Sequence, residues 1–357
     1  MHRFITRRAA VAALTLIPLA AMLLPAQGAS AHVAAARSHA AALRIGLVLD
    51  TGGRNDKGFN QLAYEGAQTA QTMYGIQFSY VTTTTVSDAL YYQNLASFAR
   101  QKYDLVIGVG FLMENAMYKV SKAYPNEKFA LIDGAPTDPK GNTVNQPNVA
   151  NLFFREQESG YLVGYMAGLM EKGKVGAATH GVIGTMGGIP IPPVNRYIAG
   201  YVEGARAADS SIKIKLGYNG DFNNLGKAEN IGLGQVAAGA DILFAVAGGA
   251  GNGYLKAAEK KGVYGIGVDA DQIFLGPYIM TSAVKKVDKA VLLTIAAVKN
   301  GTFKGGDNLF TLKNDATGYG TVGKMVPAGI IAQVKAQAAL IAAGKIVPTT
   351  VIPKNLG

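Results

Sequence analysis

Three times in this chain a short apolar run without polar alternation closes on an aspartate: Ile45-Gly-Leu-Val-Leu-Asp50, Lys128-Phe-Ala-Leu-Ile-Asp133 and Val263-Tyr-Gly-Ile-Gly-Val-Asp269. Runs of this kind read as strands covered on both faces by helices. Helical stretches lie between them, and alternation of strand and helix implies right-handed βαβ crossovers and a parallel sheet. An aspartate placed where such a strand leaves its sheet stands at the carboxyl edge, where open α/β sheets bind ligands.

In chain order the pattern predicts strands at 45–49, 77–83, 105–110, 128–133 and 149–154, with helices opening near 59 and at 86–103 and 112–124. A helix at 156–172 carries Gly160, Gly164 and Gly168 at every fourth position, a spacing that allows close helix packing. From His180 the alternation begins afresh, with strands at 181–188, 212–218, 242–249 and 263–269 and helices at 194–208, 225–238 and 252–261. Residues 279–284 are expected to help the chain cross back, ahead of helices at 287–300 and 326–343. The expected architecture is therefore α/β: two Rossmann-like βα lobes joined by a hinge of several crossovers, with a crevice where the strand ends meet. The first lobe is expected to take 44–155 plus about 286–315, and the second 156–285 plus about 316–357.

The first residues read differently. Met1 to Arg8 is basic, Ala9 to Leu24 is apolar, and Ala29-Ser30-Ala31 is a small-residue cleavage site, which together describe a secretory signal peptide over 1–31 followed by a linker at 32–43. Arg7-Arg8 is read as an ordinary basic flank rather than a twin-arginine signal. Loss of Arg3, Arg7 and Arg8 with the leader lowers the formal charge from +11 to +8. Without clustered basic runs that excess does not point to nucleic acid. The sequence holds no cysteine, which excludes disulfides, thiolate catalysis and Cys-ligated metals. Of four histidines, His2, His32 and His39 fall in the leader or linker, and His180 alone cannot assemble a Ser-His or metal-ligand constellation.

The loop after the first strand, Asp50-Thr-Gly-Gly-Arg-Asn-Asp56-Lys-Gly-Phe59-Asn60-Gln61, carries glycines that permit close approach, a helix cap at Asp56 or Asn55, and Phe59 and Asn60 facing the crevice. For an isolated unit of this kind, Asp50 as a plain cap and Phe59 as a core residue is an equally good reading. Asp133 and Asp269 repeat the strand-terminal carboxylate, and Asp271 competes with Asp269 for the same role. Phe222, in a loop after a second-lobe strand, mirrors Phe59, and Gly248-Gly249 opens a loop that lets backbone amides approach a ligand.

The opening loop also resembles the signature of the basic membrane protein family, substrate-binding components of ABC importers of purine-nucleoside receptor type. Asp50, Gly53, Asp56, Lys57, Phe59, Asn60 and Gln61 fit that pattern, while Thr51, Asn55 and Gly58 depart from it. Glu156-Gln-Glu158-Ser-Gly160-Tyr-Leu-Val-Gly164 and Thr281-Ser-Ala-Val-Lys285 resemble further family segments. The resemblance implies a type I periplasmic-binding fold, an aromatic at both Phe59 and Phe222 that would sandwich a planar base, and Lys285 as a ligand-binding lysine. It implies a purine nucleoside (adenosine, guanosine or inosine) as ligand, an ABC permease as partner, no cofactor and no enzymatic activity. An exported monomer, periplasmic or secreted, is expected, because the cysteine that usually carries the family's lipid anchor is missing. A pentose or hexose receptor of the same fold is the alternative. A nucleoside hydrolase would need a tight run of aspartates in one loop, and a transcriptional regulator a DNA-binding module where the leader stands.

Overall fold

The structure, a computed structural model, describes residues 42–357, so the expected leader and almost all of the expected linker lie outside the described residues. The chain lays down β1 (Arg44–Leu49), α1 (Phe59–Tyr74), β2 (Gln77–Thr82), α2 (Asp88–Arg100), β3 (Leu105–Val109), α3 (Glu114–Ala123), β4 (Phe129–Ile132) and β5 (Val149–Phe154). It continues with α4 (Glu156–Lys172), β6 (Val182–Gly187), α5 (Pro192–Ala208), β7 (Lys213–Tyr218), α6 (Leu225–Ala237), β8 (Ile242–Val246), α7 (Gly251–Lys261) and β9 (Tyr264–Asp269). Last come β10 (Ile279–Lys285), α8 (Val287–Lys299), β11 (Gly306–Phe310), β12 (Thr317–Tyr319) and α9 (Ala328–Ala342).

The strands form two six-stranded sheets, ordered β11-β5-β4-β3-β1-β2 and β12-β10-β9-β8-β6-β7. The first is parallel throughout. The second is parallel except for β12, which runs antiparallel along β10. Strands β3, β4 and β8 are buried along their whole length, as their unbroken apolar runs require. Helices α1 and α8 cover one face of the first sheet, and α2 and α3 the other. Helices α4, α5 and α9 cover one face of the second, with α6 and α7 opposite. Strand order reverses between β1 and β3 in the first sheet and between β6 and β8 in the second. At such a reversal the following loops part to opposite faces and leave a crevice.

Two features depart from the expected layout. Residues 279–285 are not simply a return crossing but a strand inside the second sheet, between β9 and β12. Strands β11 and β12 carry no sequence signal: Gly-Asp-Asn opens the one and Gly318 sits inside the other, both residues that disfavour strand. They form because β5 and β10 offer free edges where the chain passes between the lobes. No helix among the described residues is long and apolar enough to cross a membrane.

The glycine repeat of α4 has a counterpart on α5. A Cβ at Gly160 would collide with the carbonyl oxygen of Tyr197, one at Gly164 with that of Tyr201, and one at Gly200 or Gly204 with the carbonyls of Gln157 or Tyr161. The two helices therefore touch backbone to backbone. Gly234, exposed on α6, has nothing within 4 Å of the same position. One substitution should then act with opposite sign at two helical sites. Gly164→Ala is expected to destabilise the protein by about 1–3 kcal/mol through overpacking, and Gly234→Ala to stabilise it by about 0.5–1 kcal/mol through helix propensity. Urea unfolding of the two variants checks both signs.

Candidate functional site

The loops at the two strand reversals enclose one cavity of about 660 Å³, its mouth included. Asp50, Phe59, Asn60, Gly110 and Asp133 line it from the first lobe, and Tyr197, Phe222, Gly248, Gly249, Asp269 and Lys285 from the second.

Asp56 builds the first-lobe side. Its carboxylate accepts from the backbone N–H groups of Gly58 (3.0 Å), Asn60 (2.9 Å) and Gln61 (3.1 Å), and from the Asn60 amide at 2.9 Å. These bonds satisfy the orphan donors at the start of α1 and fix Phe59 and Asn60 at the cavity wall. Asn60 Oδ1 in turn accepts from the backbone N–H of Asp50 at 2.8 Å. Asp50 Oδ1 accepts from the Tyr91 hydroxyl at 2.6 Å and from Thr51 N–H at 2.7 Å, while Oδ2 lies beside Gly110. Burial raises the pKa of Asp50, and the Tyr91 and Thr51 hydrogen bonds work against the rise.

The deeper wall is a charge cluster. Lys285, 2% exposed, places Nζ 2.7 Å from Asp133 Oδ2, 3.4 Å from Glu156 Oε1 and 3.9 Å from Asp269 Oδ1. Arg196 Nε donates to Glu156 Oε2 at 2.6 Å, and the Tyr197 hydroxyl to Asp269 Oδ1 at 3.1 Å. The ammonium also stands 4.8 Å from the centre of the Phe59 ring. Burial alone would discharge Lys285, but Asp133, Glu156 and Asp269 outweigh it and hold its pKa above the ordinary value. Three carboxylates against two cations leave one negative charge in excess. Burial pushes Asp269 up to about 7, with Lys285 opposing the rise and Asp133 and Asp56 adding to it. Asp133 is raised likewise by burial, and its Oδ1 is buried with no hydrogen-bond partner among the described residues.

Asp133 and Asp269 both sit in the left-handed region, at φ 69° and 63°. A non-glycine residue holds that conformation at a cost of about 1 kcal/mol or more. It turns each carboxylate off the end of its strand.

Of the residues singled out from sequence, Asp50, Phe59, Asn60, Asp133, Phe222, Gly248, Gly249, Asp269 and Lys285 share the cavity. Asp271 does not line it: its carboxylate accepts from the backbone N–H of Ile273 (3.3 Å) and of Thr321 (2.9 Å), which makes it a turn cap. His180 pairs with Asp241 through Nδ1 at 2.9 Å, outside the cavity. Sequence reasoning missed Tyr91, Glu156, Arg196 and Tyr197. A tyrosine inside an amphipathic helix carries the same pattern as a core aromatic, and Glu156 and Arg196 become partners only when α4 packs on α5. The one signal available was Glu156 itself, an acid beside an apolar strand end that proves wholly buried.

Residues 44–348 match the Bmp family, described as ABC transporter substrate-binding protein PnrA-like. The chain is 31% identical to the CD4+ T-cell-stimulating antigen of Listeria monocytogenes over 312 residues, covering 82% of this chain and 84% of that one. It is 31% identical to the ABC transporter nucleoside-binding protein BmpA of Lactococcus lactis over 301 residues, covering 78% and 81% of the two chains. In structure it is similar to an ABC transporter system solute-binding protein from Aeropyrum pernix, with a TM-score of 0.78 at 25% identity over 88% of this chain and 94% of that one. The paired sheets, the cavity at their strand reversals and these likenesses agree, and the chain belongs to the Bmp family of PnrA-like ABC-transporter substrate-binding proteins.

Proposed function

We propose that this chain is an exported receptor that closes on a purine nucleoside, adenosine, guanosine or inosine, and delivers it to a membrane permease. The observation that carries the reading is the pair Phe59 and Phe222, one aromatic from each lobe, lining the same cavity as Asp50, Asp133, Asp269 and Lys285. Two aromatic rings on opposite lobes can take a planar base between them, and stacking on an aromatic contributes about 1–3 kcal/mol per base. Asp50 and Asn60 then read the edge of the base, with the free Asp50 oxygen as acceptor and the Asn60 amide as donor. Asp133, Asp269 and Lys285 take the ribose hydroxyls, which donate to carboxylates and accept from the ammonium. The cavity wall sets four carboxyl groups, Asp50, Asp56, Asp133 and Asp269, beside the single cation Lys285, so a nucleoside suits it better than a nucleotide.

Contacts to both lobes stabilise the closed arrangement over the open one, and that difference is what a permease reads. The name of the Lactococcus relative supports a nucleoside, and the solute-binding relatives support transport.

Calorimetric titration of refolded, ligand-stripped protein tests the assignment. Tight binding of adenosine, guanosine or inosine is expected, with weak binding of both ribose and free adenine; tight ribose binding would favour a sugar receptor. Phe59→Ala and Phe222→Ala are each expected to weaken nucleoside binding by about 1–3 kcal/mol, and unchanged affinity in both would remove the sandwich.

The pH response follows from Asp269, whose carboxyl burial pushes up to about 7. A hydroxyl donating to its carboxylate favours the ionised form. A ligand that binds the ionised form binds more tightly as pH rises through that pKa and levels off above it. Nucleoside affinity is therefore expected to rise between about pH 6 and pH 8, and Asp269→Asn to weaken binding and flatten the profile. A flat wild-type profile would place Asp269 outside the ligand contacts.

A further inference from the structure

Three amide side chains of the second lobe grip one loop of the first. Gln272 Nε2 donates to the Lys57 carbonyl at 2.9 Å, Asn252 Nδ2 to the Asp56 carbonyl at 3.2 Å, and Asn223 Nδ2 to the Thr51 hydroxyl oxygen at 2.8 Å. Asn223 stands in the loop after β7, Asn252 in the first turn of α7 after β8, and Gln272 in the connection from β9 to β10. None of the three side chains lines the cavity.

Gln272 is the best held of them. It is 3% exposed, its Oε1 accepts from Val268 N–H at 3.0 Å, and its own backbone N–H donates to Ser282 Oγ at 2.9 Å. Val268 immediately precedes Asp269, and Lys57 lies two residues before Phe59. One buried amide thus joins the backbone of β9 beside Asp269 to the first-lobe loop that precedes Phe59. Lys57 itself has φ 61° with an exposed side chain. A non-glycine residue keeps that conformation only where its surroundings hold it, and the bond from Gln272 to its carbonyl is such a hold.

We infer that Gln272, assisted by Asn252 and Asn223, is an interlobe latch: these residues position the Thr51–Lys57 loop against the second lobe and set how long the cleft stays closed, without touching the ligand. Observed affinity scales with the fraction of protein in the competent state, so the latch tunes affinity through closure. The identity of the ligand rests on the reading above; the latch does not.

The absence of cysteine allows two dyes to be placed cleanly through Lys122→Cys on α3 and Lys261→Cys on α7, both exposed sites. Single-molecule energy transfer then reports the closed fraction in the full chain, with and without guanosine, beside stopped-flow rates. Gln272→Glu keeps the acceptor for Val268 but sets a carboxylate oxygen against the Lys57 carbonyl. It is expected to shift the ligand-free protein toward the open form and to speed guanosine dissociation about tenfold, the equivalent of one buried hydrogen bond. Association should change less than about twofold, while the buried carboxylate is expected to lower the thermal midpoint. Asn223→Ala should shift the closed fraction in the same direction by less, and because that side chain is exposed it decides the matter if Gln272→Glu fails to fold. An unchanged closed fraction in the ligand-free variants overturns the latch. A shifted closed fraction in a protein that binds no nucleoside keeps the latch and overturns the nucleoside reading.

Discussion

A lysine ammonium buried to 2% exposure persists only beside carboxylates, because an isolated buried ion costs several kcal/mol in lost hydration. Lys285 finds them on both sides of the cleft. Asp133 ends a strand of the first sheet, Asp269 ends a strand of the second, and Glu156 opens α4 just after the chain first crosses between lobes. The cluster brings the carboxyl edges of the two sheets together at the base of the crevice. Glu156 is held in turn by Arg196, and Asp269 by Tyr197, so the arrangement depends on α5 lying where it does. That position is set by the glycines of α4 and α5, whose backbones touch. Packing and electrostatics are therefore one constraint here.

The same region carries the join between the lobes. Arg155 N–H donates to the Phe310 carbonyl at 3.0 Å and Lys286 N–H to the Ala316 carbonyl at 2.9 Å, which ties the crossing segments to one another. Glu158 accepts from Leu312 N–H (2.6 Å) and the Thr317 hydroxyl (2.8 Å), and the Ser159 hydroxyl donates to the Val284 carbonyl at 2.7 Å. The first turn of α4 is thus the knot through which all crossings pass. Two rigid sheets with a narrow join are the geometry of hinge closure, in which small changes at element ends move whole lobes.

Much of this was legible along the chain. Nine of the twelve strands were placed along the chain, most of them by unbroken apolar runs, because burial on both faces leaves no room for alternation. The strand-terminal aspartates marked the cleft, because a charge at the end of a buried run must face an opening. Phe222 was harder, since a loop aromatic covers a core as often as it lines a site, and the family resemblance decided its reading. Asp271 shows the limit. Two residues from Asp269 and chemically identical, it turns instead to Thr321 and Ile273, because only Asp269 sits at the strand end in the left-handed conformation.

What the sequence determined by itself was local: the alternation of strand and helix, the Asp56 cap that sets Phe59 and Asn60, the glycine repeat of α4, and a set of polar residues at strand ends. Each depends on neighbours within a few positions, and period and capping chemistry encode such neighbours directly. What only the tertiary structure decided was pairing across long separations. Lys285 meets Asp133, Arg196 meets Glu156, Tyr91 meets Asp50, and Gln272 reaches Lys57. Strands β11 and β12 likewise form on edges supplied by distant strands. No local pattern records these partners, because the energy that selects them, shared burial and matched charge, exists only once segments far apart in the chain have folded against each other.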